Sequence, residues 1–318
     1  MSNAVSRRKP ASFQAPSYRH RLAEPYTALR CQPVRDLAFL LTAPAPWHSG
    51  AEIDCARLLG SQGWPQLIAL DAAPQPLLDW LAARPTRRLG VYAEQLLQYW
   101  FSHAGHIDCV AANLPLAEHG RSVGEFDFLL RVDGLPLHLE AASKFYLQLD
   151  AAGGELVGPS LRDAWPLKYR KLASQLALGC HPAARLPQGF AGCPAYSRLT
   201  GWLFYPHAPQ PQFPCNADAC RGWWRRLSEP WPQHAADSRW LLLPRLCWLA
   251  PARTTGDAVL TLVQLQALLA EADGARLVAE LAPGADGDWH EIARGFVVRD
   301  DWPLPGMLAE LQRKLAAS

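Results

Sequence analysis

No apolar stretch of the chain approaches the ~20 residues that span a bilayer, so no membrane partner is expected. The eight cysteines (Cys31, Cys55, Cys109, Cys180, Cys193, Cys215, Cys220 and Cys247) form no CxxC pair and no framework of spacings. A chain long enough to fold without staples then keeps them as reduced thiols, which predicts a cytoplasmic protein. Cys215 and Cys220 with His207 fit no standard zinc spacing. Charge of one sign is also missing: 31 Lys+Arg stand against 29 Asp+Glu, a formal net charge of +2. A nucleic-acid surface must therefore be a local patch. The absence of a GxxxxGK[ST] loop and of a GxSxG elbow argues against P-loop nucleotide hydrolysis and serine esterase chemistry. The opening stretch MSNAVSRRKPASFQAPSYRH lacks the apolar middle of a secretory signal and reads as a disordered leader over 1–20.

What is present points to a packed core. Of 318 residues, 49% are apolar and 19% charged, which suits one large domain or two modest ones. The 13 tryptophans read first as core filler, with a stacking surface as the alternative. The 28 prolines, almost twice the usual ~5%, predict short, well-punctuated elements.

Residues 21–86 read as a helical segment, with helices at 34–41, 52–59 and 76–83 between proline loops. A clearer helix covers 89–101, where Leu89, Ala93, Leu96, Leu97 and Trp100 recur at helical spacing and Glu94 stands beside that face. The run 107–114, closed by Pro115, predicts a strand. In GEFDFLLRVDGLPLHLEAASKFYLQL, Phe126, Phe128, Leu130 and Val132 alternate with Glu125, Asp127, Leu129 and Arg131. That is strand periodicity, and Asp133-Gly134 is a hairpin-turn pair. The returning strand alternates too, placing His138, Glu140, Ala142, Lys144 and Tyr146 on one face. After the Gly153-Gly154 loop, a helical region interrupted near Pro166 ends at Gly179, and GWLFY at 201–205 is a strand. A helix between such strands predicts a crossover and a mixed sheet. Further on, the sequence predicts a basic aromatic helix at 220–227, an apolar run at 240–249, a helix at 262–272, and strands at 276–281 and 296–299. These either extend the sheet or form a small second lobe.

The hairpin carries the chemistry. Carboxylates on a sheet face near a core are costly unless paired or bound to a cation. Asp127 and Glu140 on adjacent strands suit Mg²⁺ or Mn²⁺, and Lys144 on the same face as Glu140 suits a role beside bound water. The plainer alternative is an ordinary strand pair in which Glu140 pairs with Arg131 or Lys144. Lys168, Arg170, Lys171 and Gln175 form a basic strip for a phosphate backbone, and Arg221, Arg225 and Arg226 flank Trp223 and Trp224.

This succession resembles the PD-(D/E)xK phosphodiesterase superfamily. The resemblance implies an α/β protein with a restriction-endonuclease-like αβββαβ core and a mixed sheet over 87–206. A C-terminal extension or small lobe over 207–318 would follow it. It implies that Asp127, Glu140 and the carbonyl of Ala141 hold the metal, that Lys144 orients the attacking water, and that Glu94 supports metal or water. The activity implied is Mg²⁺- or Mn²⁺-dependent cleavage of nucleic acid, DNA above RNA. The runner-up is an inactive scaffold that binds nucleic acid or a protein partner. Two departures stand out: Ala142 occupies the usual lysine place, with Lys144 about 6–7 Å further along the strand, and Phe126 replaces the proline before the first acid. The segments RLGVYAEQLLQYW, GEFDFLLR, HLEAASKFYL, GPSLRD, GWLFYP, RGWW and RGFVVRDDWP are also similar to a bacterial family of about this length with no assigned activity.

Overall fold

The computed structural model describes residues 28–149, 155–207 and 215–317. The expected leader at 1–20 and the Gly153-Gly154 loop lie outside the described residues. The chain enters through helices α1 (Gln32–Thr42), α2 (Cys55–Leu59), α3 (Gly63–Ala72), α4 (Gln75–Ala82) and α5 (Leu89–His103). Helix α3 escapes a periodicity reading because its apolar residues form no single stripe. Helix α1 is buried all round, so its charges are spent internally: Arg35 donates to Leu29 O at 2.9 Å and to Pro251 O at 2.7 Å. Asp36 accepts from Tyr92 Oη and from Ala250 N.

Next come β1 (Ile107–Glu118), β2 (Arg121–Val132), β3 (Leu135–Gln148), β4 (Leu156–Val157), α6 (Trp165–Leu176) and β5 (Ala195–Tyr205). The strand β1 runs through Pro115 rather than stopping there. It lies at the edge of the sheet, where a missing N–H costs no ladder bond. Pro166, read as an interruption, instead sits in the first turn of α6, where its fixed φ favours the helix. Asp133 and Gly134 have φ of 51° and 78°, the paired positive values of a tight hairpin turn.

The remainder comprises β6 (Cys220–Arg226), β7 (Arg239–Leu242), β8 (Arg253–Thr254), α7 (Leu262–Ala270), β9 (Arg276–Pro283), β10 (Trp289–Val298) and α8 (Pro305–Ala317). All strands join one mixed sheet in the order β1-β2-β3-β5-β6-β10-β9-β7, with β4 on β3 and β8 on β10. The C-terminal strands thus continue the sheet. Its centre, β3-β5-β6-β10, is parallel, and parallel strands are covered on both faces. One face packs Leu137, Leu139, Trp202 and Phe204 against α1 and α5. The other packs Tyr146, Leu199 and Leu203 against Leu172 of α6, and Trp223 and Val278 against α7.

The expected helix at 220–227 is the strand β6. Being buried on both faces, it shows no polar alternation, so its pattern mimics a helix. Gly222 makes this possible: a Cβ there would stand 2.6 Å from both Arg294 O and the Phe204 ring. Trp223 and Trp224 are 0% and 4% exposed, one on each face, which removes them as a base-stacking surface. Arg225 is turned onto Pro206 O and Arg226 onto Glu229.

Arg294 fastens the sheet to its cover. It is 1% exposed, bonds Glu291 at 2.6 Å and 2.8 Å, Trp248 O at 2.5 Å and Ala250 O at 2.7 Å, and lies 4.0 Å from the Trp202 ring centre. Arg294→Ala strands Glu291 as a buried charge, and chemical denaturation is expected to register a loss of about 3–5 kcal/mol.

Candidate functional site

The hairpin β2-β3 is zipped only from its turn to the Phe128–Leu139 pair. Asp127 and Glu140 are the next residues on each strand, and there side chains replace the ladder. Ala141 N donates to Asp127 Oδ2 at 2.9 Å, and Asp127 N points at Glu140 Oε1 at 3.4 Å. The two strands fork at this carboxylate pair. On the outer strand Asn113, with φ 52°, lies opposite Asp127, between the Ala112–Phe128 and Leu114–Phe126 pairs. Strict alternation put Phe126 with Phe128. Instead Phe126 packs with Leu129, 4.9 Å from the His138 ring, because the left-handed residue opposite breaks the pleat at the fork.

A cleft of about 1110 Å³ opens from the fork, with Glu94 and Arg88 contributed by the α5 side and Lys168, Lys171 and Gln175 by α6. Asp127, Ala141 and Lys144 line it from the strands. Glu140 is 1% exposed; His138 Nε2 and Glu140 Oε1 are 2.6 Å apart, while Glu140 Oε2 is buried with no hydrogen-bond partner. Leaving such an oxygen unsatisfied is costly, and the position suits a cation.

The electrostatics agree. Burial, then the Glu140 and Glu94 charges, push the Asp127 carboxyl up to about 7, against the pull of the Ala141 N–H and Lys168. Burial and the Glu125 charge raise Glu94. Burial and Lys144 lower Lys168, while Asp127 and Glu140 raise it. Lys168 is therefore the ammonium whose charge Asp127 and Glu94 feel. A carboxyl whose folded pKa is raised holds its proton where the unfolded chain has lost it near ~3.9. Without metal, this group's contribution to stability falls as pH rises from about 4 to about 7. Thermal melting of wild type and Asp127→Asn in EDTA is expected to show the variant gaining on wild type between about pH 4 and about pH 7 and no further above that.

Lys144 is otherwise engaged: its Nζ is bonded to Asp163 Oδ2, which also accepts from Tyr146 Oη at 3.2 Å. Asp163 is held by the GPSLRD turn, where Gly158 N donates to Asp163 O at 2.8 Å and buried Leu161 takes a left-handed φ of 55°. Of the basic strip, Lys168, Lys171 and Gln175 face the cleft at helical spacing. Arg170 faces the other way, donating to Leu315 O at 3.4 Å. Sequence reasoning missed Arg88, Asp163 and the Ser143–Thr200 hydroxyl pair, 2.7 Å apart on the cleft wall. GPSLRD is one of the segments that carry the family similarity, but nothing local marks its aspartate as the partner of a lysine 19 residues away.

Among the described residues no group of three or more His, Cys, Asp or Glu side chains is placed to hold a metal ion. The donors at the fork are two carboxylates, one with an unpartnered oxygen. That set fits a hard cation that keeps most of its waters rather than an all-protein cage. No helix among the described residues is long and apolar enough to cross a membrane.

Residues 35–298 match the family described as "Domain of unknown function (DUF1853)", and the chain belongs to that family. It matches no curated protein and no solved structure.

Proposed function

We propose that this DUF1853 member is a metal-dependent nuclease that cleaves phosphodiester bonds in DNA, built on a PD-(D/E)xK-like core over 87–206. Apart from the two-residue β4, which pairs with the end of β3, the succession α5-β1-β2-β3-α6-β5 follows the αβββαβ order of that superfamily, which supports the reading. The observation that carries the reading is the fork. Asp127 and Glu140 stand where the strands part and side chains take over from the ladder. Glu140 Oε2 is buried without a hydrogen-bond partner, next to Ala141, which lines the cleft with Asp127.

Asp127 and Glu140, with the Ala141 carbonyl, would hold Mg²⁺ or Mn²⁺, which would supply Lewis-acid charge and lower the pKa of a water it binds. His138 engages Glu140 Oε1, which leaves the buried Oε2 as the oxygen without a partner. Glu94, its pKa raised by burial and by the Glu125 charge, takes up or relays a proton. Lys168 neutralises charge building on the phosphate, whereas the resemblance gives Lys144 the orienting of the attacking water. Lys171 and Gln175 grip the adjoining backbone. The test is a screen of single-stranded, duplex and branched DNA and of RNA with either ion. Ion-dependent cleavage is expected on at least one DNA, and silence on all of them contradicts the reading.

One observation favours the inactive-scaffold alternative: the Lys144 ammonium is tied to Asp163. Comparison of Lys168→Met with Lys144→Met separates the two. On the nuclease reading the first abolishes cleavage and the second only weakens it. Either way backbone contacts follow salt. The logarithm of DNA affinity is expected to fall linearly with that of salt, and Lys171→Gln to reduce the slope by about 1. Binding that ignores salt points instead to a protein partner.

A further inference from the structure

Lys144 forms a wall shared by two chambers. Beside the main cleft lies a second cavity of about 470 Å³, which shares Leu89, Gly90, Ser143, Lys144 and Arg245 with it but reaches neither Asp127 nor Glu94. Its apolar lining includes Phe145, Trp248, Trp302 and Met307. The two indoles are fixed from behind. Trp248 donates its N–H to Leu243 O at 3.1 Å and meets Phe145 and Phe296 edge-on at 5.6 Å and 5.1 Å. Trp302 donates to Pro159 O at 3.1 Å and stands 5.0 Å from Trp224. Both polar edges are satisfied, so the rings line the chamber as preformed apolar surfaces.

The charged groups complement those surfaces. Lys144, Arg162, Arg245 and Arg299 face two carboxylates, Asp163 and Asp301. Asp163 is committed to Lys144 and Tyr146, and Asp301 to Arg299 at 3.3 Å. Arg162 and Arg245 are exposed, and the Arg245 guanidinium lies 5.4 Å from the Trp248 ring centre. Arg299 also meets Asp273 at 3.8 Å and Arg162 acts on Glu310, which leaves Arg245 as the guanidinium at the rim for an anion. The indole edges that border the chamber, on rings 8% and 6% exposed, with that cation beside them suit a flat heterocycle carrying a phosphate. The volume lies in the range of small-ligand sites, roughly 300–1,000 Å³.

We infer that this chamber binds one nucleotide unit, its base beside Trp248 and Trp302 and its phosphate at Arg245. In a strand, that would carry the neighbouring phosphate past Lys144 toward Asp127; this extension rests on the nuclease reading, whereas nucleotide binding does not. The ligand is either a free mononucleotide or a nucleotide of an unpaired strand. Isothermal titration of the full chain in EDTA with dAMP, deoxyadenosine and a 5′-phosphorylated single-stranded oligo(dA) tests it. Saturable dAMP binding is expected, with deoxyadenosine about tenfold weaker, the size of one charge-assisted phosphate contact. Arg245→Gln, at an exposed residue, should bring dAMP down to the affinity of deoxyadenosine. Met307→Trp, which fills the chamber, should weaken both at least about tenfold. Asp127→Asn should change neither. Tighter binding of the oligonucleotide than of dAMP supports the strand as source, and equal binding supports the free nucleotide. No saturable heat with either dAMP or oligo(dA), or binding that both chamber variants leave intact, overturns the inference. Expected dAMP binding beside complete silence in cleavage leaves the chamber standing and removes only the nuclease reading.

Discussion

Asp127→Asn and Glu140→Gln are each expected to reduce Mn²⁺-stimulated DNA cleavage at least about 100-fold, the scale of losing one transition-state electrostatic contact. Neither should unfold the chain. The Asp127 carboxyl is pushed up to about 7, so it is disfavoured as a charge in the absence of metal. An amide at that position retains an acceptor for Ala141 N, the bond that Asp127 Oδ2 now makes at 2.9 Å. Glu140→Gln likewise retains a carbonyl toward His138. Loss of activity with the melting temperature maintained is therefore the expected signature, read by gel assay and by thermal melting of the same preparations. Lys168→Met should fall by a similar factor and Lys144→Met by less than about tenfold, because the Lys168 charge bears on Asp127 and Glu94 while the Lys144 ammonium is tied to Asp163. Cleavage that survives all four substitutions would place the chemistry elsewhere.

The largest structural effect is expected at Gly201, which pairs with Lys144 across β3 and β5. Its φ is 135°, and a Cβ there would stand 1.8 Å from Lys144 O. No rotamer change relieves a clash with backbone, so Gly201→Ala must part the two strands beside the site. The cost should exceed about 3 kcal/mol, lowering Tm by about 5–10 °C or preventing folding. An unchanged Tm would mean that β3 and β5 do not share this register.

The hairpin was legible because β2 and β3 alternate strictly near the turn and Asp133-Gly134 fixes their register. Helix α5 was legible from its apolar stripe. The strand β6 was not, since a strand covered on both faces loses the polar alternation that distinguishes it. Phe126 was assigned to the wrong side because the pleat breaks at the fork, a distortion set by Asn113 on another strand. The site divides in the same way. Asp127, Glu140 and Glu94 were found because carboxylates stand out in apolar periodic segments. That Lys144 is tied away while Lys168 stands near the acids depends on Asp163, which only tertiary folding brings to Lys144. Arg170 was grouped with Lys168 by proximity in sequence, whereas helical geometry turns it toward Leu315.

Crystals soaked in Mn²⁺ test the central claim most directly, through the anomalous difference map. A single strong peak between the carboxylates of Asp127 and Glu140, on the side of Glu140 Oε2 and absent from Glu140→Gln crystals, is the result expected. A map with no peak at the fork, or with its strongest peak away from both residues, would contradict the account.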